Sequence, residues 1–187
     1  CGPCVNVNYA MSQLTAANPG KFTYTKYPMS WPSPGDPYYT GEGGVRQTYY
    51  GCSAVPQTFL DGSDQGFTNV SQAALDAQYN TPAFANVRGA FNIEGNVINV
   101  TADFMSYFDM ENIRAFVTVN EKTTTENIAS NGETEFHHVM MKMLENAEGN
   151  IMNINAGEYQ RLEFTYDMSS TNVEEMNDLE VSLWLQD

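Results

Sequence analysis

The residues best equipped for chemistry are Cys1 and Cys4, set as Cys1-Gly2-Pro3-Cys4 in a chain of 187 residues. A Cys-x-x-Cys pair can bind zinc, close a structural disulfide or carry out thiol–disulfide exchange. Exchange requires a thiolate. A helix N-terminus favours one, because its unpaired N–H groups and its dipole pull a cysteine pKa below the free value. Residues 4–17 read as such a helix: Val7, Met11 and Leu14 recur at helical spacing, and Asn18-Pro19-Gly20 stops it. Cys1 then sits at the helix N-terminus as nucleophile, with Cys4 one turn on as a buried resolving thiol. Pro3 suits the first turn, where its missing N–H costs nothing. Zinc on Cys1, Cys4 and Cys52 needs a fourth ligand, and no metal is expected.

The elements that must hold this pair fall into two groups. After the helix, residues 21–27 alternate as a strand. Residues 28–44 then carry four prolines and four glycines, with Trp31, Tyr38 and Tyr39 to anchor them as an ordered loop. A short helix over 45–50, a short strand over 58–60, an Asp61-Gly62 turn and a helix capped by Ser71 and running to about Tyr79 complete this part. Beyond it lie six strand candidates, at 87–93, 97–104, 113–119, 136–144, 159–166 and 179–185. Ile98, Val100, Ala102 and Phe104 share one face of the clearest, and Leu179, Val181, Leu183 and Leu185 repeat the pattern. Alternating strands with polar turns indicate an antiparallel sandwich. The boundary falls near residues 82–87, giving units at 1–85 and 86–187.

The segment Tyr50-Gly51-Cys52-Ser53-Ala54-Val55-Pro56-Gln57-Thr58 gives the cysteine pair its meaning. Together with Cys1-Gly2-Pro3-Cys4 it resembles the two halves of a thioredoxin-type redox site, and the resemblance covers residues 1–85. It implies that Val55-Pro56 is a cis bond packed on the disulfide, with backbone that holds an extended substrate. Gly2-Pro3 goes, in that family, with a reducing site. Two departures stand out. The strand that precedes the motif in that family, with its Trp and buried acid, is missing here, and residues 28–44 are an insertion. The expected fold is therefore an α/β thioredoxin-like domain, N-terminally truncated with its first strand missing, followed by an all-β, Ig-like antiparallel sandwich. The expectation is a fragment of a longer chain. A lipidated Cys1 is the less favoured explanation of the cysteine at the start.

A second resemblance spans nearly the whole length. It is carried by Tyr27-Pro28-Met29-Ser30-Trp31-Pro32-Ser33-Pro34-Gly35-Asp36-Pro37-Tyr38-Tyr39, by Arg46-Gln47-Thr48-Tyr49-Tyr50-Gly51 and by Phe136-His137-His138-Val139-Met140-Met141-Lys142-Met143-Leu144. These segments are similar to the outer-membrane-protein family of about twenty-eight kilodaltons from Gram-negative envelopes, often lipoproteins, in which a thioredoxin-like domain precedes a β-sandwich. The resemblance implies a location, the cell envelope, more firmly than a reaction.

The remaining candidates have plainer readings. Cys52 is a candidate third thiol, but a small buried core residue explains it more simply. His137 and His138 adjoin in a strand pattern, so they point to opposite faces and do not share a metal. Met140, Met141 and Met143 could suggest copper, yet soft apolar filling of a strand interior accounts for them. Trp31, Tyr38 and Tyr39 either line a peptide groove or pin their loop. Glu174-Glu175-Met176-Asn177-Asp178 reads as a solvated turn without the spacing of a calcium loop.

Composition narrows the partners. The formal charge is −15, of which residues 86–187 carry −13 and residues 1–85 only −2. Such acidity argues against nucleic acid and against electrostatic docking on anionic lipid. Any membrane attachment would use a lipid anchor outside this chain. Three cysteines fit one reversible pair and one spare thiol better than a disulfide framework. The expected function is thiol–disulfide exchange with envelope proteins: Cys1 attacks, Cys4 resolves, the Val55-Pro56 backbone holds the substrate, and a partner reductase supplies electrons without a bound cofactor. The competing expectation is a non-enzymatic surface binding or adhesion lipoprotein on the same fold.

Overall fold

In a computed structural model describing residues 1–128 and 130–187, the chain is mixed α/β, with few helices and antiparallel sheets. Helices α1 (Cys4–Ala17), α2 (Gly41–Tyr49) and α3 (Gln72–Tyr79) all lie in the first 80 residues, with a small hairpin of β1 (Phe59–Leu60) and β2 (Ser63–Asp64) between the last two. From Ala85 onward the chain is built of strands: β3 (Ala85–Glu94), β4 (Val97–Ser106), β5 (Met110–Thr124), β6 (Phe136–Met143), β7 (Asn150–Ile154), β8 (Tyr159–Asp167) and β9 (Leu179–Gln186). One sheet runs β3-β4-β8. In the other, β9 flanks one edge of β5, while β6 and β7 follow each other along its opposite edge.

The two sheets share one core. Ile98, Val100, Ala102 and Phe104 of β4 are at most 2% exposed, and Ala115, Val117 and Val119 of β5 at most 1%. Full burial of one such Val, Ile or Phe side chain is favourable by about 1.5–3 kcal/mol, which makes this alternation the main source of sheet stability. Met141 joins the same core, whereas Met140 and Met143 face the opposite side of β6, against Phe116 and Tyr27.

The helical part packs on that second side. Arg46 of α2 is almost wholly buried, with its guanidinium 4.3 Å from the Phe116 ring centre and under 5 Å from those of Tyr49 and Tyr50. Its Nη2 donates to Tyr50 Oη at 2.9 Å and to Gln186 Oε1 at 2.6 Å. Asn120 Nδ2 donates to the Tyr24 carbonyl, to Thr25 Oγ1 and to Ser182 Oγ, and Lys142 of β6 pairs with Glu42 of α2. Meanwhile α1 buries Met11 against Val70 and Leu75, and reciprocal amide hydrogen bonds between Asn18 and Gln72 tie its C-terminal end to the start of α3.

Three sequence expectations change. Residues 21–27 form no strand: only Lys26 pairs, in a single parallel bridge to Val139, so the segment lies beside β6 without a ladder. The second helix starts at Gly41 rather than near Val45, because Thr40 caps it by accepting the Gly43 N–H. Strand β7 was not expected. Its Met152 and Ile154 are buried, but it is only five residues long and its two asparagines blur the pattern.

Two consequences follow for stability. Arg46→Ala removes a cation held by aromatic faces and two hydrogen bonds, and should lower the unfolding free energy by about 3 kcal/mol in urea titrations. On the outer face of β4, hydrogen bonds from Arg161, with help from Arg88, hold the Asp103 carboxyl below its ordinary 3.8 despite partial desolvation. A depressed acid contributes stability above its unfolded pKa and loses it as pH falls through the folded one. Asp103→Asn should therefore be less stable than the parent at pH 7. The gap should close as pH falls below the ordinary carboxylate range, where a protonated Asp103 resembles the asparagine.

Candidate functional site

Cys1 and Cys4 are joined by a disulfide with their Cα atoms 5.4 Å apart. Helix α1 begins at Cys4, and Pro3 occupies the cap position without a side-chain acceptor; the first turn holds no acidic residue. At this helix start one orphan N–H therefore meets sulfur instead of an Asp or Ser cap, while that of Val5 goes to the Gly2 carbonyl. The Cys4 N–H donates to Cys1 Sγ at 3.2 Å. Reduction would leave those donors and the positive end of the dipole beside a nascent thiolate.

Cys4 is half-buried, like Cys1, not the buried thiol expected from the sequence. Both line an open groove that also receives Cys52, Val55, Pro56 and Trp31. Its volume is about 2350 Å³, and its lining draws on residues from Cys1 to Asp187. The Val55-Pro56 bond is cis. The loop that carries it is tied to α2, since Gln47 donates through Nε2 to the Cys52 carbonyl at 2.8 Å and accepts the Cys52 N–H on its own carbonyl at 3.0 Å.

Cys52 is half-buried rather than a core residue. Its thiol donates to the Ala54 carbonyl at 3.3 Å, and burial pushes its pKa up. Trp31 lines the groove, whereas Tyr38 packs on the sheet core and donates its hydroxyl to Glu174, pinning the loop. His137 and His138 do diverge. His137 lies by Thr123 and Glu135, while His138 Nδ1 sits 2.6 Å from Glu180 Oε1 and its ring meets Phe22 and Tyr24. Glu174 is no mere solvated turn residue. Although partial burial opposes it, hydrogen bonds from the Glu126 and Thr125 N–H groups hold its carboxyl below the usual range.

The second half of the chain also reaches the disulfide. Asn131 Nδ2, in the loop between β5 and β6, donates to the Cys1 carbonyl at 2.9 Å, and Glu133 of that loop accepts from Asn8 of α1 at 2.7 Å. Sequence reasoning missed both residues. They lie more than 120 positions from their partners in a polar segment without a motif, and no local pattern points to them.

Comparison with protein-family models, with curated proteins and with solved structures finds no match to this chain. Whatever the site does must be argued from its own geometry.

The sheltered thiol gives a first check. After reduction, the pH midpoint for alkylation of Cys52, followed by peptide mass spectrometry, should lie above its ordinary 9.0. A midpoint at or below that value would show an unsheltered sulfur.

Proposed function

We propose that the chain is a thiol–disulfide oxidoreductase-like protein of the Gram-negative cell envelope, exchanging disulfides with other proteins through Cys1 and Cys4. Within this reading, residues 1–85 are a thioredoxin-like domain and residues 86–187 an Ig-like sandwich. One observation carries it: a disulfide at an uncapped helix start lines the same groove as Val55 and Pro56.

The exchange balances as follows. A substrate thiolate attacks Cys1 Sγ, the Cys1–Cys4 bond breaks, and Cys4 leaves as a thiolate that takes up a proton. A second substrate thiolate attacks the substrate sulfur of the mixed disulfide and expels Cys1 as a thiolate. The substrate is oxidised by two electrons and the site is reduced. In the reverse direction the Cys1 thiolate attacks a substrate disulfide, Cys4 resolves the intermediate, and a partner reductase returns two electrons to the site.

The rival reading, a non-enzymatic surface binding or adhesion lipoprotein, has its own observation. Phe84, Tyr107 and Phe108 are 62%, 61% and 46% exposed, and the Phe84 and Phe108 rings pack edge to face. The two readings part at the cysteines. In the reduced full chain Cys1 should titrate well below pH 8 and alkylate at pH 7 about tenfold faster than a free cysteine. Cys4→Ser should accumulate envelope proteins in adducts released by reductant. If Cys1 titrates like free cysteine and no adduct forms, exchange is not the function.

A further inference from the structure

Two groups of the β5–β6 loop meet the face of α1 that carries the disulfide. Cys1, Cys4 and Asn8 stand at positions i, i+3 and i+7, which places them along one side of the helix and its N-terminal extension. Asn8 Nδ2 donates to Glu133 Oε1 at 2.7 Å, so the Glu133 carboxylate is held one turn from Cys4 on that side. Asn131 Nδ2 donates both to Glu133 Oε2, at 2.6 Å, and to the Cys1 carbonyl, at 2.9 Å. The loop closes on itself as well, since the Glu133 N–H donates to Asn131 Oδ1 at 3.1 Å. These contacts form a two-point clasp between a loop of the sheet region and the start of α1.

We propose that Asn131 and Glu133 are positioning residues of the Cys1–Cys4 site, Glu133 holding a negative charge beside the disulfide and Asn131 fixing that charge to the Cys1 backbone. This deepens the exchange reading and rests on it. A fixed carboxylate opposes the growth of negative charge on sulfur, and so works against the helix dipole that favours it. It thereby stabilises the disulfide relative to the dithiol and biases the site toward giving electrons away.

Of the other charged groups around Glu133, one is a cation. Lys26, on the segment beside β6, is lowered to about 8 by burial, while Glu133 and Asp36 hold it up. Glu135, further along the same loop, faces His137 instead. Exchanging Glu133 for glutamine keeps an acceptor for Asn8 and removes the carboxylate charge, while Lys26, no longer held up by Glu133, gives up its proton more readily. The lost carboxylate charge is what makes the surroundings of the sulfurs more positive.

The test uses the full chain equilibrated with glutathione buffers, with the disulfide fraction read by mass spectrometry and the Cys1 alkylation rate read against pH. Glu133→Gln should shift the Cys1–Cys4 equilibrium about threefold toward the dithiol and move the alkylation midpoint to lower pH by about half a unit. Glu133→Asp, which keeps the charge, should restore most of the parent behaviour, and Glu135→Gln should leave it unchanged. Asn131→Ala should act in the same direction as Glu133→Gln. Circular dichroism checks that each variant is folded, and the Asp variant reports on charge even if the Gln variant is not. If the parent pair does not equilibrate with glutathione, or Cys1 titrates as a free cysteine, the exchange reading itself falls. If the parent behaves as an exchange site and the Glu133 and Asn131 variants match it, the clasp has no electrostatic role and this inference is overturned.

Discussion

Strand β5 has no solvent face between residues 115 and 121, and the rest of the structure is arranged around that fact. Ala115, Val117 and Val119 face the core between the sheets, an ordinary alternation. The intervening Phe116, Thr118 and Asn120 should face water, but the helical part of the chain covers them. Covering polar side chains requires partners for them. Asn120 finds three acceptors, two of them on the segment at 24–25, and Thr118 Oγ1 lies 3.3 Å from Thr25 Oγ1. These directional contacts fix where the segment at 22–27 lies, and through it where α1 and the disulfide stand. Removing one partner of such a buried group costs about 1–3 kcal/mol, so the seam specifies a register that apolar contact alone would leave loose.

Arg46 secures the other side of the same junction. Among the described residues no carboxylate pairs with its guanidinium; it is held by the π-faces of Tyr49, Tyr50 and Phe116 and by the oxygens of Tyr50 and Gln186. A desolvated cation over aromatic faces gains about 2 kcal/mol, and a planar guanidinium can stack where an ammonium cannot. The position one residue further on, Gln47, holds the Cys52 backbone from both its amide and its carbonyl. The loop bearing Val55 and Pro56 therefore inherits its placement from an arginine buried on β5 and β9.

Much of this was legible in the sequence where one face of an element meets one environment. Helix α1 and strand β4 are found with the expected core residues, because Met11 and the series Ile98, Val100, Ala102 and Phe104 each face a single apolar layer. Legibility fails where tertiary partners decide. The run Asn120-Glu121-Lys122-Thr123-Thr124 looks like the polar turn after a strand, yet it continues β5, since its polar groups are met by β6, β9 and the 174–178 turn. Residues 21–27 have strand periodicity, but a strand also needs a neighbour for its backbone, and only Lys26 has one. At the candidate site, cysteine spacing and the Val-Pro dipeptide were readable as local patterns. The contacts of Asn131 and Glu133 were not, because they exist only once β5 has carried the chain back across the first helix.

The acidic turn explains how that return is fixed, and it alters the meaning of the chain's charge. Glu121 accepts the N–H groups of Glu174 and Glu175, Glu174 accepts those of Thr125 and Glu126, and Asp178 accepts that of Thr123. On the edge that β9 leaves after Glu121, carboxylates take the place of a strand partner for the end of β5, with backbone N–H groups standing in for cations. Their mutual repulsion has a cost. Burial, aggravated by Glu174 and Asp178, pushes the Glu121 carboxyl above its ordinary range, while the N–H groups of Thr125 and Glu126 keep Glu174 below it. Part of the negative charge of residues 86–187 is thus structural. The point at which β5 ends sets where the loop after it begins. Up to Thr124 the strand is held on one edge by β6 and on the other by the carboxylates of Glu121, Glu174 and Asp178.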